Sequence, residues 1–172
     1  MEANGGQTYR YATAQQLWNF GFGMSYTAFA YSDLQLTSNA DSVTATVQLT
    51  NTGDSMLADE VVQLYVANPA AGSRAGCRSV PLVELKAFVR VRSVAPGATV
   101  PVTLGVPLKD LAVADHDCTL RVLAGVYTVH VGGRKPGALG AAEDGAAYGT
   151  PHTPLQAMFA PTASQVETAN RA

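Results

Sequence analysis

Charge is scarce in this chain and nowhere concentrated: Asp, Glu, Lys and Arg make up 14% of its 172 residues, and the 11 basic side chains form no run. With a formal net charge of -2 it has neither a phosphate-tracking surface nor a polybasic anchor, so nucleic acid and membrane are not expected partners. No stretch approaches the roughly 20 apolar residues of a membrane span. Met1 is followed by Glu2, Ala3, Asn4 and two glycines, without the basic start and apolar run of a secretory signal. Cysteine is nearly absent as well. Cys77 and Cys118 fit no zinc-binding spacing, and can be read either as one disulfide or as two buried thiols. There is no Asn-x-Ser/Thr sequon, so glycosylation gives no hint of compartment.

What is present is a globular composition, 47% hydrophobic, in a length that fits one domain with a tail. From Ala28 onward the pattern has period two and is punctuated by turn residues. Val43, Ala45, Val47 and Leu49 alternate with Thr44, Thr46, Gln48 and Thr50, and Asn51-Thr52-Gly53-Asp54 closes that strand. Val62, Leu64 and Val66 share one face of the next, with Gln63 and Tyr65 opposite, before Asn68-Pro69. The loop from Ala70 to Pro81 carries small residues, including Gly72 and Gly76. Leu85 and Phe88 both read as core residues but have opposite parity, so a bulge near Lys86-Ala87 is expected. Val100, Val102, Leu104 and Val106 line one face of a further strand, and Pro101 in its middle places it at a sheet edge. Leu111 to Ala114, Leu120 to Leu123 and Val126 to Val131 complete seven or eight short strands. That number and spacing predict an all-β, immunoglobulin-like or fibronectin-type-III-like sandwich over residues 28–133, and no helical period competes with it.

Two segments fall outside the sandwich. Residues 134–172 draw more than half their number from Ala, Gly, Pro, Thr and Ser, and read as a flexible tail pinned by Leu155, Met158 and Phe159. Residues 1–27 are the reverse, an irregular connector crowded with Tyr9, Tyr11, Trp18, Phe20, Phe22 and Tyr26. Rings at that density are costly to leave in water. They either pack on the sandwich or a neighbouring domain, or form a platform for stacking on sugar rings.

The residues themselves are familiar. GGQTYRYA followed by LWNFGFGMSYTAFAYSDLQL resembles the junction and first strand of the C-terminal fibronectin type III-like module of family 3 glycoside hydrolases, the β-glucosidases and β-xylosidases. VTATVQLTNTGDSMLADEVVQLYVANP, PLVELKAFVRVRSVAPGATVPVTLGV, DLAVADHD and AGVYTVHVGG continue the likeness in order, from about Gly6 to Gly133. The stretch with Tyr9 and Arg10 looks closest to plant-type β-xylosidases. There are departures: Trp18-Asn19 stands where the family has Tyr-Pro, Ala87 replaces a Gly, and an aromatic is missing around Leu120. By resemblance the chain starts inside a connector from a preceding domain, so Met1 is expected to mark a truncated gene rather than a natural start.

The resemblance implies retaining hydrolysis by two carboxylates about 5–5.5 Å apart, carried by other domains of the family's enzymes. Ser32-Asp33-Leu34 is superficially like the family's Ser-Asp-Trp nucleophile motif but belongs to the first sandwich strand. Gly21-Phe22-Gly23 lacks a third glycine and the context of a dinucleotide site. Gly23-Met24-Ser25 and the stretch from Gly72 to Gly76 complete no nucleophile elbow. In Asp115-His116-Asp117-Cys118, alternation aims His116 away from both aspartates, so a solvated turn is expected. His130 is expected to be exposed and His152 to lie in the tail. Asp59-Glu60 and Glu143-Asp144 are expected to be solvated. No catalytic residue, metal or cofactor is expected.

The expected function is that of a non-catalytic accessory domain packing against the catalytic domains of a parent glycosidase, extracellular or in the cell wall by resemblance. The expected contact residues are Tyr9, Arg10, Tyr11, Trp18, Phe20, Phe22 and Tyr26. Arg10 can reach a carboxylate or carbonyl across that interface or face solvent. The alternative is a stand-alone carbohydrate-binding module using the same aromatics.

Overall fold

The computed structural model describes residues 8–13, 16, 18–23, 25–75, 78–114, 118–137 and 154–171. Met24, Cys77, Asp115, His116, Asp117, Glu143, Asp144 and His152 lie outside them, as does the expected turn cluster around His116. Two antiparallel sheets face each other. One is built in the order β1 (Phe29–Ser38), β2 (Ser42–Asn51) and β7 (Thr99–Pro107). The other runs β11 (Leu155–Phe159), β10 (Tyr127–Gly132), β3 (Ala58–Ala67) and β6 (Glu84–Val94). Short hairpins, β4 (Arg74–Ala75) with β5 (Arg78–Ser79) and β8 (Val113–Ala114) with β9 (Leu120–Arg121), decorate the connections.

The alternation in β2 explains its sheet. Val43, Ala45 and Val47 sit opposite Val106, Leu104 and Val102 of β7, and this apolar set meets Val62, Leu64, Val129 and Val131 of the facing sheet. Burying side chains on one parity of both sheets is what fixes register, since a one-residue slip would turn the whole set outward. Pro101 stands on β7, at the edge of its sheet, where its missing N–H breaks no ladder.

The bulge in β6 is present. Leu64 pairs with Ala87 and Tyr65 with Leu85, leaving Lys86 as the extra residue. Its effect differs from the expectation that both Leu85 and Phe88 turn inward. The bulge sets Ala87 opposite buried Leu64 and Phe88 opposite Gln63, so Phe88 lies on the outer face with 68% exposure. The expected strand from Leu111 to Ala114 is also different. After Pro107 the chain makes a 3-10 turn over Leu108–Leu111, and only Val113–Ala114 is extended.

The largest difference lies in residues 134–172. Within the expected flexible tail, Leu155–Phe159 forms β11, paired along β10 from Val131↔Leu155 to Tyr127↔Phe159. Leu155 and Phe159 pack on the core and Met158 faces water. A helix, α1 (Ala163–Arg171), comes after it. Its start is a reciprocal capping box: the Gln165 amide N–H donates to Thr162 Oγ1 at 3.3 Å, and the Thr162 N–H donates to Gln165 Oε1 at 2.7 Å. Near its end Asn170 clasps the backbone of Val122, accepting from its N–H at 2.7 Å and donating to its carbonyl at 3.3 Å. Five residues in a low-complexity segment are too few to announce a strand, and the order of this one is supplied by the exposed edge of β10. Cys118, in a left-handed conformation (φ 63), is disulfide-bonded.

Candidate docking site

The leader ahead of β1 lies on its own sandwich, across the outer face of β3 and β6. Its backbone is stitched down twice. The Leu82 N–H donates to Arg10 O at 2.8 Å, and the Lys135 N–H donates to Phe20 O at 2.8 Å. At each point the chain turns tightly: Thr8 O accepts from Tyr11 and Ala12 around Arg10, and Asn19 O accepts from Phe22 around Phe20. Gly21 has φ 85 in the second turn, and a Cβ there would fall onto the Gln63 amide, so both conformation and close approach call for glycine.

Tyr65 is the floor of the site. Placed by alternation on the face away from the core, it is nevertheless fully buried, because the leader covers it. Tyr9 stands edge-on to it at 6.4 Å and stacks on Phe20 at 4.3 Å, while its hydroxyl accepts from the Leu85 N–H at 3.2 Å. The Tyr65 hydroxyl donates to Gln63 Oε1 at 2.5 Å, and Gln63 Nε2 donates to Gly133 O at 2.7 Å. Burial, with Tyr9 beside it, pushes the Tyr65 phenol well above its ordinary range.

Arg10 finds its carboxylate inside the domain. It pairs with Glu84, whose other oxygen holds Lys86 at 3.0 Å, and Lys86 also donates to Asp110 O at 2.7 Å. Burial and the Arg10 charge hold the Lys86 ammonium below its usual pKa, with Asp110 opposing. The Arg10 guanidinium also lies 5.7 Å from the Tyr11 ring.

The seven expected contact residues therefore divide. Tyr9 and Arg10 fasten the leader, and Tyr11 lies against Arg10. Phe22 is tilted against Trp18 at 4.6 Å, with the Arg134 guanidinium 5.9 Å from its ring. Trp18 (62%), Phe20 (44%) and Tyr26 (95%) remain exposed. Tyr26 stands apart, next to Thr27, whose hydroxyl donates to Asn51. Phe88, which sequence reasoning assigned to the core, joins the open apolar surface beside Gln63. Gln63, Tyr65, Glu84, Lys86 and Arg134 gave no sequence signal, since Tyr9, Arg10, Phe22, Asp110 and Gly133, which they also meet, lie many residues away.

Two further expectations are corrected, for His130 and Glu60. His130 is half-buried between Tyr65 and Gln156 on neighbouring strands, and burial lowers its pKa. Glu60 is not solvated: the Tyr31 hydroxyl donates to it at 2.8 Å, and burial raises its pKa above the ordinary 4.5, a shift that the Tyr31 hydrogen bond partly opposes. Asp59 accepts from the Ser93 N–H and from Arg90, each at 2.8 Å, where Ser93 adopts a left-handed φ of 54 in a second β6 bulge. Those bonds, the Ser93 one first, lower its pKa. Asp33 is exposed in a bulge of β1 and meets the Ser32 hydroxyl. Among the described residues no three His, Cys, Asp or Glu side chains gather as a metal site.

Glu60 sets a pH-dependent signature. A carboxyl with a raised folded pKa favours the fold while protonated and loses that contribution as pH rises from about 4.5 through the folded value. Glu60→Gln, which keeps an acceptor for Tyr31, is expected to gain in melting temperature relative to the native chain as pH rises from 4 towards 7. A difference that stays flat across paired melts would contradict the burial of an ionising Glu60.

The geometry defines a β-sandwich module with a strapped-on leader. Residues 60–135 match the Fibronectin type III-like domain family. The chain is 40% identical over 121 residues to a β-glucosidase of Rhizobium radiobacter, covering 68% of this chain and 14% of that protein. It is 34% identical over 128 residues to a β-xylosidase of Formosa agariphila, covering 72% and 17%. Its fold superposes on β-glucosidase 3B of Thermotoga neapolitana, solved with α-D-glucose, with a TM-score of 0.64 and 31% identity over 82% of this chain and 17% of that one. The chain belongs to the fibronectin type III-like modules of the family 3 glycoside hydrolases. It spans less than a fifth of the length of these relatives.

Proposed function

We propose that the module is a non-catalytic accessory domain of a family 3 β-glycosidase, docking on its catalytic domains through the leader face and holding their mutual geometry. One observation carries this reading: the leader is bonded to its own domain at Arg10 and at Phe20, yet leaves the rings of Trp18 and Phe20 open to water. A solvated module gains nothing from exposing such rings, whereas a domain interface does. Pairwise packing of Tyr9 on Phe20 and of Trp18 on Phe22 uses one face of each ring, which favours packing over a coplanar sugar platform. The half-buried carboxylates are also committed, Glu60 to Tyr31 and Glu84 to Arg10 and Lys86.

The test is a chimera in which this chain replaces the corresponding part of the Thermotoga neapolitana β-glucosidase 3B. Trp18→Ala with Phe20→Ala is expected to lower the melting temperature of the chimera and to shift the isolated module much less. Equal shifts in the two contexts would show that the rings serve only their own sandwich. The isolated chain is expected to turn over no nitrophenyl glycoside. The disulfide at Cys118 supports an oxidising, extracellular or cell-wall setting for the parent enzyme.

A further inference from the structure

Lysine is almost never fully buried unless it is paired. Of the three lysines in the chain, Lys109 faces water, while Lys86 and Lys135 are withdrawn from it. Lys86 is accounted for, because Glu84 holds its ammonium at 3.0 Å and the Asp110 carbonyl accepts from it at 2.7 Å. Lys135 is not. It keeps 7% exposure, yet among the described residues no carboxylate pairs with its ammonium and no carbonyl accepts from it. Burial lowers its pKa, with no neighbouring carboxylate to oppose the shift as Asp110 does at Lys86.

The backbone places this cation beside the docking face. The Lys135 N–H donates to Phe20 O at 2.8 Å, Gly133 O accepts from Gln63 at 2.7 Å, and the Arg134 guanidinium lies 5.9 Å from the Phe22 ring. Residues 133–135 are therefore the ledge on which the second leader turn rests, and the exposed rings of Trp18 and Phe20 start from that turn. An ammonium withdrawn from water without an acceptor costs the module free energy. Surfaces between domains are more polar than cores, and they set opposite charges against one another. A carboxylate brought up by docking would offset the cost that the module bears alone.

We propose that Lys135 is the electrostatic anchor of the docking face, its ammonium taking a carboxylate from the catalytic domains of the parent glycosidase. The inference rests on the docking reading and adds to it the chemistry of the occupant: a surface with Asp or Glu opposite the second leader turn, not a wholly apolar one. The receiving carboxylate is expected in family 3 catalytic domains generally, the Thermotoga neapolitana host of the chimera included.

Lys135→Met keeps most of the stem and removes the charge. It is expected to hold or raise the melting temperature of the isolated 172-residue chain, where the ammonium is unpaired, and to lower that of the chimera, where it is paired. A fall in the isolated chain, or no fall in the chimera, overturns the proposal. A second measurement uses the native residue and so does not depend on the variant folding. Treating the chimera with a water-soluble carbodiimide, followed by peptide mass spectrometry, is expected to recover Lys135 in an amide with an Asp or Glu of the catalytic domains. Lys135 recovered unlinked, or linked to a carboxylate of its own sandwich, overturns it. The two readings fail separately: if Trp18→Ala with Phe20→Ala destabilises only the chimera while Lys135→Met does not, docking stands and the anchor falls. Equal ring shifts in both contexts remove both.

Discussion

Tyr65→Ala is expected to release the leader and cost the fold about 3–5 kcal/mol, the range for truncating a large buried aromatic. The ring is fully buried by residues that precede β1, so its loss removes the surface on which Tyr9 rests and the hydroxyl that holds Gln63. Tyr65→Phe keeps the ring and gives up the hydroxyl bond, for a smaller loss of about 1 kcal/mol. Two measurements separate these effects. Chemical denaturation reads the stability, and limited proteolysis reads whether residues 8–23 become cleavable while the sandwich persists. Trp18 is the only tryptophan, so its fluorescence reports the leader directly. If Tyr65→Ala leaves cleavage and stability untouched, the leader is not held by this face.

Ending the chain after residue 153 is expected to be comparably damaging, although the residues removed look dispensable by composition. The cut strips β11 from the edge of β10, uncovers Tyr127 where Phe159 stacks on it at 5.4 Å, and removes the Asn170 clasp on Val122. A loss on the order of 3 kcal/mol is expected from the buried apolar groups alone, a fall of roughly 6–12 °C in melting temperature. The bared edge of β10 is also a template for pairing with other chains, so light scattering should rise with concentration. An unchanged melt and a monodisperse solution would mean that β11 contributes nothing, and the flexible-tail reading would stand.

Both predictions fall where sequence reasoning was weakest. The strands of the sandwich were legible because each buries one parity of its side chains: the run from Val43 to Leu49 and that from Val100 to Val106 state their faces without knowledge of a partner. The bulge at Lys86 was legible too, since Leu85 and Phe88 could not share a face without it. Its consequence was not. Whether Phe88 or Ala87 turned inward depended on the pairing with β3, which put Ala87 against Leu64. The leader announced itself by aromatic density, but which rings would be buried could not be read from their order. Tyr9, at the start of the cluster, is clamped between Phe20 and Tyr65, while Trp18 in its middle is mostly exposed. Arg10 reads equally as an interface group or a solvated one, and only the fold brings Glu84 to it.

The order of residues alone settled the sandwich class and the family likeness, because alternation and turn chemistry act between near neighbours. Tertiary structure decided that Gln63 and Tyr65 on the outer face of β3 are dry, that Glu60 and His130 are half-buried, and that residues 155–159 complete a sheet. Each of those outcomes needs a partner tens of residues distant, and the energy of such a contact exists only once the intervening chain has folded.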